Sequence, residues 1–362
     1  MATICIDARL WGIANTGIGR YIENLIDHLP GEVVLIVPPD LKHEPKLAKF
    51  KKYYAHFHPY ANLAQLEMLW LLSFIRPRVL HVPHFTVPVL WPGKMVVTIH
   101  DLIKHFSRGM ATTTRHPFIY WFKYFQYLVV LWLSVHRANH IITPVNYWKD
   151  ILLKKYHLSP AKISVTYEGV APAYFQKTVL PVSIGSAKPY VIYTGNLYPH
   201  KNIPVLFSAI KLLEGKVNLV ISCARSVFTK RVEDLIVKDH LQNSVKFLGL
   251  VPDVDLVSLY RQSLAFVTPS LIEGFGLSGL EAMAAGTPVI AARASCLPEV
   301  YGDAALFFDP HDPADLVARI TSLLTDVKLR QQLIAKGKKQ VKKYSWSNMA
   351  SQTWQIYQNA LH

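Results

Sequence analysis

The chain has 362 residues and a mass of 41.0 kDa, long for one hydrophobic core, so two domains are expected. Hydrophobic residues at 51% against charged residues at 17% exclude a disordered chain. A formal charge of +15 calls for an anionic partner, with nucleic acid, anionic lipid and phosphorylated substrates all qualifying. Residues 3–7, TICID, read as a strand with neither the basic leader nor the apolar core of a signal peptide, and predict a cytoplasmic protein. Cys5, Cys223 and Cys296 share no zinc or disulfide spacing and read as buried thiols.

In the first half, apolar β-rich runs recur at 3–7, 33–37, 79–82, 95–99, 140–143 and 163–167. A loop and an amphipathic helix with the stripe Ile22, Leu25, Ile26 and Leu29 follow the first run. The basic cluster KHEPKLAKFKKYY at 42–54 reads as a solvated helix face, as does KGKKQVKKY at 336–344. Residues 118–135 come nearest to a membrane span, but Lys123 and Gln126 interrupt them and the unbroken apolar run covers only 127–133. That is too short to cross a bilayer and predicts a buried or interfacial helix. Read as an amphipathic surface helix, segment 115–137 suggests peripheral contact with an anionic inner membrane face and a lipid-linked acceptor; a packed helix of the first domain is the other reading.

In the second half the runs fall at 190–194, 217–222, 245–249, 264–268, 288–292 and 305–308. Short apolar strands alternating with helices imply parallel sheets covered on both faces. Six strands on each side of a break at 168–190 predict an α/β protein of two Rossmann-like, doubly wound domains facing a central cleft. The expected domains are 1–172, 173–342 and a C-terminal helix, 343–362, crossing back to the first. Ligands of such sheets bind at the carboxyl ends of the strands.

The stretch PSLIEGFGLSGLEAMAAGTPVIA, residues 269–291, follows one of these strands. It reads as a glycine-rich turn and a helix from about Ser278 to Ala285, capped by Gly286. The helix N-terminus directs unpaired amides and a positive dipole end at one spot, which suits an anion. Gly274 and Gly276 allow close backbone approach. Glu273 and Glu281, eight positions apart, are better used to accept hydrogen bonds from hydroxyls, Glu281 from a ribose diol and Glu273 from a second polyol. Phosphate in the middle with a hydroxylated group at either end describes a nucleotide-sugar. Lys201, just after the turn in YTGNLYPHKN, can place an ammonium on a diphosphate. His100 ends the strand of MVVTIHDL, where it can exchange a proton near neutral pH. His81 and His84 lack the pattern of a metal site.

The segments YTGNLYPHKN, EGFGLSGLEAMAAGTPVIA and LPEVYGDAALFFDPHDPADLVARI closely resemble the retaining glycosyltransferases of family GT4, with the GT-B fold, and their mannosyltransferase branch in particular. The resemblance covers nearly the whole chain and is strongest from 190 to 320. It implies His100, Lys201 and Glu273 as catalytic residues, with His100 beside the reacting sugar and the acceptor. It implies donor contacts from Gly17 and Gly19 in a loop over the phosphates, and from Gly195, Asn196, Lys201, Gly274, Phe275, Gly276, Leu277 and Glu281. Asn196 stands where the family usually has arginine, leaving one fewer cation on the leaving group; Arg225 is a possible substitute. The implied reaction moves a hexose, mannose from GDP-mannose, to a hydroxyl of a glycan or lipid-linked acceptor in cell-surface polysaccharide assembly. It proceeds with retention, by same-face attack, with no cofactor and no metal. The alternatives are a UDP-sugar donor, a non-catalytic nucleotide-sugar binder, and a nucleic-acid-binding protein. No zinc, helix-turn-helix or RNP signature supports the last, so no nucleic acid is expected.

Overall fold

The computed structural model describes residues 4–12, 16–61, 63–176, 182, 184, 185, 188–223 and 227–361. The chain forms two compact units. Met1–Leu102, Arg115–Gly169 and Ser345–His362 make the first, and Ile103–Thr114 with Val170–Tyr344 make the second.

The first unit runs β1 (Ile4–Asp7), α1 (Thr16–His28), β2 (Val34–Val37), β3 (Lys51–Tyr54), α2 (Ala64–Ile75), β4 (Val79–Val82) and β5 (Lys94–Thr98). A short helix α3 (Ile103–Phe106) counts with the second unit. The first then continues through α4 (Pro117–Arg137), β6 (His140–Thr143), α5 (Asn146–Tyr156) and β7 (Ile163–Val165). Its seven strands are all parallel, in the order β3-β2-β1-β4-β5-β6-β7. Every residue of β1, β2 and β4 is buried, which is why these strands read as unbroken apolar runs.

Seven strands replace the six expected. The cluster at 42–54 is not a helix face: two short 3₁₀ turns, Pro39–His43 and Pro45–Leu47, lead into β3. KKYY carries no apolar run because β3 is an edge strand, partly exposed and paired only with β2. Lysines on such an edge discourage pairing with another chain.

The second unit contains β8 (Tyr190–Thr194), α6 (Ile203–Leu212), β9 (Asn218–Ser222), α7 (Thr229–Lys238), β10 (Val245–Gly249) and α8 (Asp253–Gln262). It continues through β11 (Ala265–Thr268), α9 (Leu277–Ala285), β12 (Val289–Ala292), α10 (Leu297–Tyr301), β13 (Ala305–Phe308), α11 (Pro313–Thr325) and α12 (Val327–Gln340). Six parallel strands lie in the order β10-β9-β8-β11-β12-β13, at the six segments expected. Helix α13 (Trp346–Leu361) packs on α1 of the first unit, burying Met349, Thr353 and Tyr357. The Trp354 ring fills the space a side chain at Gly31 would need, only 2.2 Å from an added Cβ.

The fold is therefore two Rossmann-like units. In each, strand order reverses beside the first strand, between β1 and β4 and between β8 and β11. Chains leaving the two strands at such a point part to opposite faces and leave a crevice for a ligand.

Candidate active site

In the second unit the switch point is formed by the ends of β8 and β11. From β8 the chain passes Gly195 and Asn196 into a 3₁₀ turn, Pro199–Lys201. From β11 it passes the turn of Glu273–Gly276 into α9. Lys201 Nζ donates to Glu273 Oε1 at 2.6 Å, with the two side chains 12% and 15% exposed. Burial pushes the Glu273 carboxyl up, but the charge and hydrogen bond of Lys201, with the Ser270 hydroxyl, hold it below its ordinary range. It is a carboxylate at neutral pH. His200, next in the same turn, is pushed down to about 4 by burial and by Lys201, so it is neutral.

The turn is braced from behind. The Glu273 N–H donates to Ser295 Oγ at 3.2 Å, and the same hydroxyl donates to the Glu273 carbonyl at 3.2 Å. Ser295 holds a left-handed backbone, φ 55°. Tyr301 Oη donates to the Gly276 carbonyl at 2.6 Å. An added Cβ would stand 2.8 Å from that oxygen at Gly276 and 2.3 Å at Gly279. Gly276 also has φ 91°. These glycines thus leave room for the Tyr301 phenol, a packing reason that close approach to phosphate does not require. Ser295 and Tyr301 lie within or beside the quoted family segments, yet no spacing marks them as supports of the turn.

Helix α9 begins at Leu277, one residue earlier than expected, and Gly286 with φ 87° ends it. Glu281 is buried on α9, 4% exposed, and its charge is felt by Tyr260 and Tyr301. Phe275 is buried edge-to-face on Tyr344, centroids 5.6 Å apart, so its ring belongs to the core. Asn196 is exposed; its carbonyl accepts from Tyr193 Oη at 2.5 Å and its side chain from the Tyr198 N–H at 3.4 Å. Arg225 lies outside the described residues.

In the first unit the switch point gathers Asp7 at the end of β1 and Arg9 just after it with His84 after β4. Arg9 grips Asp7 through Nε–Oδ1 at 2.8 Å and Nη2–Oδ2 at 2.7 Å, and His84 Nε2 reaches Asp7 Oδ2 at 3.3 Å. The Thr86 N–H donates to His84 Nδ1, so the neutral ring carries its proton on Nε2 and donates it to Asp7. Burial pushes the Asp7 carboxyl up, but Arg9 and His84 hold it well below the usual range. His81 is buried between Thr98, 2.8 Å from Nε2, and Tyr357, 2.5 Å from Nδ1. Burial pushes it down to about 3, which makes it a neutral structural link.

His100 follows β5. Its Nε2 lies 3.1 Å from the Pro83 carbonyl, which can only accept, so that nitrogen carries a proton. Nδ1 stands 3.5 Å from Glu168 Oε1, and the Tyr21 ring packs edge-on at 4.7 Å. Gly17 and Gly19 are in the first turns of α1, correcting their placement in a loop. Gly17 has open space around it, whereas a side chain at Gly19 would collide with the Gly12 carbonyl. Lys201, Glu273, Gly276 and Glu281 are thus gathered in one unit, and His100 with Asp7, Arg9 and His84 belongs to the other. Asp7, Arg9 and Glu168 escaped the sequence reading; an acid-base pair directly after an apolar strand was the available signal. Among the described residues, no group of three or more His, Cys, Asp or Glu could hold a metal ion.

Residues 15–174 match the model described as Glycosyltransferase Family 4, and residues 181–340 match Glycosyl transferases group 1. An O-antigen chain mannosyltransferase of Escherichia coli is 30% identical over 308 residues, 82% of this chain and 78% of its own. The chain belongs to glycosyltransferase family 4. Another relative, an O-antigen chain mannosyltransferase of Salmonella typhimurium, is 27% identical over 91% of this chain and 84% of its own. Among solved structures, sucrose-phosphate synthase from Thermosynechococcus elongatus matches with a TM-score of 0.78 at 18% identity, covering 99% of both chains. HepE of Anabaena, solved with UDP and glucose, matches at 0.75 and 15% identity over 99% of this chain and all of its own. These likenesses show that this family 4 glycosyltransferase has the GT-B fold.

Proposed function

We propose that this glycosyltransferase moves mannose from GDP-mannose to a hydroxyl of a glycan or lipid-linked acceptor, in the cytoplasm, during assembly of a cell-surface polysaccharide. The observation that carries the reading is the Lys201–Glu273 pair at the β8/β11 switch point, beside the N-terminus of α9. The mannosyl choice is supported by the two bacterial mannosyltransferase relatives. An ammonium has three donors, and Glu273 takes one of them. The others are directed to the donor diphosphate, where negative charge grows as the glycosidic bond breaks. The α9 amides add to that field. Glu273 holds the sugar hydroxyls and Glu281 the ribose. The acceptor hydroxyl attacks the face from which the diphosphate departs, and the departing phosphate takes its proton, giving retention. His100, held with Nε2 on the Pro83 carbonyl and Nδ1 near Glu168, is proposed to stand beside the reacting sugar and the acceptor. Because Lys201 supplies the cation, transfer is proposed to need no metal.

Calorimetric titration with GDP, UDP and ADP, on wild type and Glu281→Ala, tests this reading. It expects tight GDP binding that falls sharply in the variant, transfer unaffected by a chelator, and an α-linked product from an α-linked donor. Preference for UDP would reassign the donor, and no nucleotide binding at all would remove the site.

A further inference from the structure

Helix α4 buries Tyr127, Leu131, Ser134 and Val135 against the first unit. Its opposite side is apolar too. Phe118 is 76% exposed, Phe125 65% and Trp132 52%, and Phe122 and Val129 are exposed between them. Spacings of four, three, four and three residues set these five side chains in one stripe, about 21 Å long at 1.5 Å per residue. The outward face of a helix in water is ordinarily polar. The helix expected at 115–137 is thus exposed on an apolar face as well as buried on one.

A second helix repeats the pattern. Leu66, Trp70 and Phe74 of α2, at successive turns, are exposed as well. The connections through α2, α4 and α5 step across the sheet in the same direction, from β3 to β4, from β5 to β6 and from β6 to β7. Right-handed crossovers put all three helices on one face of that sheet. On that face, α5 adds exposed Lys154 and Lys155, and its Tyr156 stands edge-on to His136 of α4 with centroids 6.2 Å apart. No Asp or Glu occurs between Asp101 and Asp150, whereas Arg115, Lys123 and Arg137 flank or lie in α4.

With 21 residues, α4 is long and apolar enough, by length and composition only, to span a membrane. It is also a crossover between two paired parallel strands, with Tyr127, Leu131, Ser134 and Val135 of its C-terminal half buried, so a crossing would tear that half from the sheet. Lying flat keeps both faces covered. A second copy on this face would set exposed Lys123, Lys154 and Lys155 against like charges, with Asp150 the one exposed carboxylate on α4 or α5. Anionic headgroups answer the charge, and Phe and Trp suit the depth of the interface.

We propose that α4 and α2 seat the first unit on an anionic lipid surface, with the Phe118–Trp132 stripe at the boundary of headgroups and acyl chains and Lys154 and Lys155 among the headgroups. The proposal does not rest on the transfer reaction, because binding is read without substrate. The purified full chain is floated with phosphatidylcholine vesicles, with and without phosphatidylglycerol, at low and high salt. Wild type is expected to float with the phosphatidylglycerol vesicles and to release in high salt. F118S/F125S, altered at exposed positions, is expected to bind roughly tenfold or more weakly with unchanged circular dichroism. K154E/K155E, leaving the stripe intact, is expected to lose about fivefold or more. Wild type that ignores phosphatidylglycerol, or an F118S/F125S variant that binds as wild type does, would overturn the proposal. So would self-association in sedimentation that F118S/F125S abolishes without any vesicle binding, which would give the face to a second copy.

Discussion

Lys201 and Glu273 are 72 positions apart in sequence and 2.6 Å apart in space, each the answer to the other's burial. Lys201→Ala leaves a nearly buried carboxylate with its main partner gone, so it is expected to cost roughly 1.5–3 kcal/mol in the stability of the second unit. It is also expected to lower kcat by about 10²–10³, the scale of one lost electrostatic stabiliser. Stopped-time assays with saturating donor check this, and a kcat within a factor of two of wild type would take Lys201 out of the reaction. Tyr301 supports the same turn through one hydroxyl. Tyr301→Phe removes its bond to the Gly276 carbonyl and its hydrogen bond with the Gly279 backbone, and is expected to cost about 1–3 kcal/mol, read from denaturant melts. Nucleotide affinity should weaken along with it; unchanged affinity would mean that the brace does not reach the ligand.

At the scale of elements, α9 is held by what its glycines omit. Gly279→Ala would put a methyl group 2.3 Å from Tyr301 Oη, an overpacking expected to cost about 1–3 kcal/mol. In Tyr301→Ala the same substitution should be nearly free, because the phenol is no longer there. A double-mutant cycle measures that difference, and simple additivity would show that the contact does not matter. Most elements were legible beforehand because β1, β2 and β4 are buried on both faces and their apolar runs are unbroken. Edge strand β3 was not, since an edge needs neither apolar continuity nor β-branched residues, and Lys51 and Lys52 suggested a helix face. For α4 the surface-helix and packed-helix readings both stayed open, because an apolar side chain says nothing about which way it points.

Across the whole molecule, buried neutral imidazoles set the acid response. His81 is pushed down to about 3 and His200 to about 4, mainly by burial, and His84 is lowered in the same way. A folded-state value below the unfolded one means that the unfolded chain takes up protons the folded chain refuses. Stability from these groups is therefore full above about pH 6.5 and falls as the pH drops toward 4. The depressed carboxyls of Asp7 and Glu273 add a loss in the same direction below about pH 4. Thermal melts in high salt, which screens the self-repulsion of a chain with charge +15, should show Tm lower at about pH 5 than at about pH 7. An unchanged or higher Tm would contradict the burial of these rings. Helix α13 belongs to this scale as well. Tyr357→Phe strips buried His81 of one partner and is expected to destabilise the first unit by about 1–3 kcal/mol in denaturant melts, although it lies 276 positions away.

What the sequence determined alone was set by local chemistry: two parallel-sheet halves, from apolar runs of strand length, and a glycine-rich turn between two glutamates at a helix start. Those signals need no knowledge of the rest of the chain, because periodicity, capping and backbone freedom act over a few residues. Tertiary structure decided which distant residues meet. It paired Lys201 with Glu273, set Ser295 and Tyr301 behind the turn, joined Asp7, Arg9 and His84, and left one apolar face of α4 uncovered. Strand order and the packing of whole elements make those choices, and one-dimensional spacing does not record them.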